Sequence, residues 1–133
     1  MARPTPQTHT PNHSRILLVE DDVRVADVTQ EQLTLLGYEV VTVLDPREGL
    51  QRFAADPQGF ALLITNYNMP GMTGLELAAA CRQQRPNLPI ILCTGDRALV
   101  EPSAHIDAVL CKPYQHDELA DTIVELLHGR TTL

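Results

Sequence analysis

The chain predicts a doubly wound α/β domain, a parallel sheet with helices on both faces. Three observations carry that expectation. From Arg15 onward, short apolar runs alternate with amphipathic segments of helical length. The first run, RILLVE (15–20), is near-continuous, as suits a strand covered on both faces. Residues that start and stop helices fall between the runs. Such strand–helix alternation implies right-handed crossovers and parallel strands.

Each element has its own justification. RILLVE is the first strand. In VRVADVTQEQLTLL (23–36), Val25, Val28, Gln32/Leu33 and Leu36 fall near helical spacing, and Gly37 supplies the stop. YEVVTV (38–43) is the second strand. DPRE (45–48) opens the next helix, with Asp45 as N-cap, Pro46 at the first helical position and Glu48 placed to complete a capping box. Leu50, Phe53 and Ala54 give that helix its apolar side. FALLIT (60–65) is the third strand. Thr73 and Glu76 form a second capping box, opening a helix that runs to about Gln84. Pro86 and Pro89 bracket a loop before IILC (90–93), the fourth strand. AVLC (108–111) is the fifth. The last helix spans 116–128, with Asp117 and Glu118 in its first turn, a stripe of Leu119, Ile123, Leu126 and Leu127, and Gly129 at its end.

Bulk properties bound the function. A length of 133 residues fits one domain, and a hydrophobic fraction of 44% is enough for a sizeable core. Aromatics make up only 4%, so the core must be aliphatic. A net charge of −7 argues against direct nucleic-acid binding or adhesion to an anionic membrane, which need a basic face. No run of 18 apolar residues offers a membrane span. Cys81, Cys93 and Cys111 have no metal or disulfide spacing and read as reduced, buried thiols, which points to the cytoplasm. The histidines at 9, 13, 105, 116 and 128 have no ligand spacing and read as surface residues. Residues 1–13 lack a signal-peptide core and read as a disordered tail, 14–129 as the domain, and 130–133 as a C-terminal tail.

In doubly wound folds the site lies beyond the carboxyl ends of the strands. There the sequence places Glu20, Asp21 and Asp22, then Asn66, then Thr94, Gly95 and Asp96, then Lys112 and Pro113. Like charges at about 5 Å repel by up to roughly 3 kcal/mol at an effective dielectric near 20. An acidic cluster therefore suits a hard cation such as Mg²⁺. A lysine and a hydroxyl can hold phosphoryl oxygens, and a central aspartate would be the nucleophile. The acidic triplet after the first strand disfavours a phosphatase or flavin enzyme, which would need a phosphate-cradling loop there. Asp22 and Asp96 read as rim charges. Tyr67 reads as a half-exposed loop residue beside the crevice.

The motifs ILLVEDD (16–22), LLITNYNMPGMTGLEL (62–77), PIILCTG (89–95) and CKPY (111–114), in this order, resemble the receiver domain of bacterial two-component response regulators. The resemblance covers about residues 14–129. It implies a flavodoxin-like sheet in the order 2-1-3-4-5. It also implies a phosphoacceptor module rather than an enzyme, taking its phosphoryl group from a histidine kinase or phosphotransfer protein and acting on an unknown downstream protein. By position, Glu20 and Asp21 resemble the acidic pair that organises Mg²⁺, completed by residue 66 and the backbone carbonyl of Asn68. Thr94 resembles the switch hydroxyl and Lys112 the phosphate-contacting lysine, with a cis Lys112–Pro113 peptide. Tyr67, Asn68, Gly95 and Asp96 stand where modulators of the site would.

Two departures qualify the resemblance. Asn66 occupies the phosphoacceptor position, and a neutral carboxamide is a poor nucleophile. The expectation is a chain that cannot be phosphorylated, binds Mg²⁺ more weakly and is more stable when empty. Asn66 is either an introduced substitution that locks the unphosphorylated state or the natural residue of a pseudo-receiver. An alternative reading is a phosphorylation-independent interaction domain with a vestigial site. The second departure is the span of 18 residues from Thr94 to Lys112, shorter than the family's by about one helical turn. The fourth helix, within 96–105 and interrupted by Pro102, is expected to be shortened or irregular. Val109 stands where an aromatic switch residue is common, so an aromatic rotamer switch is not expected. The last helix ends four residues before Leu133, which suggests a single-domain regulator or an excised receiver.

Overall fold

A computed structural model of the chain describes residues 14–96 and 106–129. The expected tails over 1–13 and 130–133 lie outside the described residues. So do nearly all of the segment assigned to the fourth helix and His9, His13 and His105.

Five parallel strands form one sheet in the order β2-β1-β3-β4-β5. They are β1 (Arg15–Val19), β2 (Glu39–Val43), β3 (Leu62–Asn66), β4 (Ile90–Thr94) and β5 (Ala108–Cys111). The helices are α1 (Val23–Leu35), α2 (Pro46–Ala55), α3 (Gly74–Gln84) and α4 (His116–His128), with a 3₁₀ turn at Pro57–Gly59. The period-2 alternation of β1 sorts the core into two layers. Leu17 and Val19 pack with Phe53 of α2 and Leu77, Ala78 and Cys81 of α3. Ile16 and Leu18 face the other way, onto Leu33 of α1 and Leu119 and Ile123 of α4. The doubly wound, five-stranded reading therefore holds.

Local caps fall where the sequence places them. Asp45 accepts from the Arg47 amide, and the Thr73–Glu76 capping box is complete in both directions. Gly37 takes φ 101° just past α1, a conformation that glycine adopts without strain. Glu48 is the exception. It reaches toward Arg52, 3.9 Å away, as an exposed i,i+4 pair.

Three expectations need correction. In α1 the buried positions are Ala26, Thr29 and Leu33, while Val28 is 57% exposed. The inward stripe is set by how the helix docks on β1 and β2, and that docking tolerates a threonine with a partner. β2 starts at Glu39 rather than Tyr38. β3 runs over 62–66 rather than 60–65, because pairing with β1 begins at Ile16 opposite Leu62. This register makes Asn66 the last strand residue, and Thr94 similarly ends β4.

At the amino ends of the last two strands, Arg82 of α3 donates to the Leu88 carbonyl at 2.8 Å and to Asp107 Oδ2 at 2.7 Å. Asp107 Oδ2 also accepts from the Ile90 amide at 2.8 Å. These bonds clamp the start of β5 to the start of β4. Among the described residues, no helix is long and apolar enough to cross a membrane.

Candidate functional site

The register brings the strand ends level. Val19 is opposite both Val43 and Thr65, Asn66 is opposite Cys93, and Thr94 is opposite Cys111. Backbone bonds continue this alignment one residue further. The amide of Glu20 donates to Val43 O, that of Tyr67 to Cys93 O, and that of Lys112 to Thr94 O at 2.7 Å. Glu20, Asn66 and Lys112 are thus delivered to one place by the sheet itself.

Their side chains form a closed polar network. Lys112 Nζ donates to Glu20 Oε1 and to Asn66 Oδ1, both at 2.9 Å. Asn66 Nδ2 donates to Asp21 Oδ1 at 3.1 Å and to the Asn68 carbonyl at 2.8 Å. The second Glu20 oxygen accepts from the Asp22 amide at 3.0 Å. Glu20 is 4% exposed, and a carboxylate so deeply buried needs these partners. Glu20, Asp21, Asn66, Asn68 and Lys112, each singled out from the sequence, therefore meet in one cluster.

The other expected residues border it. Asp22 caps α1, its Oδ1 accepting from the Arg24 and Val25 amides at 3.0 and 3.4 Å. Thr94 is buried, and its hydroxyl is engaged with the backbone of Asp96, accepting from its amide at 3.2 Å. Gly95 and Asp96 are exposed, and Tyr67 is half-buried. The Lys112–Pro113 peptide is cis. Gly74 lies so close beneath that a Cβ there would stand 2.2 Å from the Asn66 carbonyl oxygen. Among the described residues, no group of three His, Cys, Asp or Glu side chains is arranged to hold a metal.

Sequence reasoning missed Tyr114 and Thr29. The Tyr114 hydroxyl meets Thr29 Oγ1 of α1 at 3.0 Å and lies beside the Cys93 thiol of β4. Burial pushes the Cys93 thiol up to about 12. Burial, with the neighbouring Cys93 adding to it, pushes Tyr114 to about 12 as well. The sequence carried no clear signal for this pair, because Thr29 falls off the stripe that spacing alone suggests and its burial follows from how α1 docks. The thiols of Cys81 and Cys93 are buried as expected, whereas Cys111 is only half-buried. A groove of about 660 Å³ opens beside the network, lined by α1 residues including Val25 and Val28 and by Lys112, Pro113 and Tyr114.

Comparison with known proteins gives the same answer from outside. Residues 16–124 match the family model described as the response regulator receiver domain. The response regulator protein FleR of Pseudomonas aeruginosa is 33% identical over 121 residues, covering 88% of this chain and 25% of FleR. Among solved structures, TrrA of Thermotoga maritima in complex with Mg²⁺ and BeF has 30% identity and a TM-score of 0.79, covering 86% of this chain and 99% of TrrA. A receiver domain protein of Clostridium thermocellum, at 23% identity, shares the fold with a TM-score of 0.81, covering 86% and 94%. The chain spans about half or less of the length of such curated relatives. Sheet order, strand-end cluster and family match all fall on the same residues, and the chain belongs to the response regulator receiver domains of two-component systems.

Proposed function

We propose that this receiver domain carries an asparagine, Asn66, at the position where the fold accepts a phosphoryl group, and that the chain as it stands does not take one. The observation that supports this reading is the placement of Asn66 at the end of β3, between Lys112 on one side and Asp21 on the other. An aspartate there would present one oxygen to each side and attack phosphorus with an anionic oxygen. The carboxamide has no such nucleophile, and its single oxygen is held by Lys112. Lys112 would otherwise hold a phosphoryl oxygen, and the buried Thr94 hydroxyl would turn from Asp96 to meet another.

The residues around Asn66 fit a divalent cation by type. Glu20 and Asp21 supply carboxylates and Asn68 a backbone carbonyl, an all-oxygen set suited to Mg²⁺. Bound there, Mg²⁺ would neutralise charge on the phosphoryl group. TrrA, solved with Mg²⁺ and BeF, supports that assignment. The partner of the acid form is a histidine kinase or phosphotransfer protein, in the cytoplasm, and the apolar groove along α1 lies beside the site where such a partner must approach. The second reading, an interaction domain working without phosphorylation, is favoured by the fully satisfied network around Asn66.

Acetyl phosphate labelling in the presence of Mg²⁺ tests the assignment. The given chain should remain unlabelled and Asn66→Asp should become labelled. Label on the given chain, or none on a folded Asn66→Asp variant, would refute it.

A further inference from the structure

The amide orientation at Asn66 is forced by its neighbours. The Lys112 ammonium only donates, so the atom facing it must be Oδ1. Asp21 Oδ1 and the Asn68 carbonyl only accept, so the atom between them must be Nδ2. Two of the acceptors that would bind a cation, Asp21 Oδ1 and the Asn68 carbonyl, are therefore bridged by the protein's own N–H donors. Lys112 is likewise committed, to Glu20 and Asn66 together.

Counting acceptors gives the consequence. An aspartate offers two oxygens, one for Lys112 and one for a cation. Asn66 offers one. Turning the amide to present Oδ1 to a cation would set its NH₂ against the Lys112 ammonium, donor against donor, and would leave Asp21 and Asn68 without their bonds. We propose that the Asn66 carboxamide substitutes for the cation, tying β1, β3, the loop after β3 and the end of β5 into a latch that excludes Mg²⁺ for as long as Lys112 holds the amide oxygen. Lys112 is then a positioning residue that decides whether the site admits metal. The inference rests on the proposed assignment of the cation site.

Side-chain ¹⁵N NMR of the unmutated chain tests the latch without any substitution. The Asn66 NH₂ signals should be shifted, slow to exchange and unmoved by millimolar MgCl₂. Mg²⁺ titration of Asn66→Asp should show affinity at least roughly tenfold higher than the given chain, a difference of about 1.4 kcal/mol. Lys112→Met should tighten Mg²⁺ binding more in the Asn66 background than in the Asn66→Asp background, a coupling that a double-mutant cycle isolates. Equal Mg²⁺ affinity in the given chain and Asn66→Asp, fast-exchanging Asn66 NH₂ signals, or equal effects of Lys112→Met in both backgrounds would overturn the latch. No Mg²⁺ binding by folded Asn66→Asp would instead overturn the cation-site assignment beneath it.

Discussion

Tyr114 joins α1 to the residues after β5 through one hydroxyl, bonded to Thr29 at 3.0 Å and set beside the Cys93 thiol of β4. Tyr114→Phe removes that hydroxyl and leaves Thr29 Oγ1 buried without its partner. It should cost about 1–2 kcal/mol in urea unfolding. Adding Thr29→Val should recover part of the loss, because both polar groups are then gone. An additive double variant would show that the bond contributes nothing. Asn66 and Glu20 illustrate the same rule in a more demanding setting. Each is legible as a candidate site residue because its type is unusual for a strand end in an aliphatic core. The partners that satisfy it, Lys112 above all, lie far away in sequence and only the sheet order brings them near.

The loop from β3 into α3 depends on Gly74 lying under the Asn66 backbone. A Cβ there would meet the Asn66 carbonyl oxygen at 2.2 Å and Leu92 Cδ1 at 2.7 Å. Neither a backbone atom nor a packed leucine can give way freely. Gly74→Ala should therefore destabilise by about 2 kcal/mol or more and move the Asn66 NH₂ signals. Unchanged signals and stability would mean that the loop relaxes without cost. At this scale the sequence spoke unevenly. The Thr73–Glu76 box and the Asp45 cap were legible because capping is local, decided within one turn of chain. The inward face of α1 and the limits of β2 and β3 were not. They follow from register against β1, and a two-residue shift of a strand leaves its alternation unchanged. Glu48 had two partners within reach, and the sequence does not rank a capping bond against Arg52.

Across the whole molecule, the aliphatic core encloses acidic protons that it does not readily release. Burial raises the thiols of Cys81 and Cys93 from 9.0 to about 12. It raises Tyr114 from 10.0 to about 12. The sign follows from linkage. Well below pH 9 both folded and unfolded chains keep these protons, so they impose no pH dependence. Between the unfolded and folded values only the unfolded chain gives them up, and stability falls as pH rises through that window. Thermal melts from neutrality into the alkaline range should show a level Tm followed by a steep decline beginning near the ordinary thiol value. A decline of the same size in a folded Cys81→Ala/Cys93→Ala variant would assign it elsewhere. The edge strand has a separate source of constancy. Asp107 fastens the start of β5 to Ile90, and the Lys112 amide fastens its end to Thr94. Its alignment is thus set at both ends. Fastened to its neighbour at both ends, β5 carries Lys112 to a fixed address on the sheet.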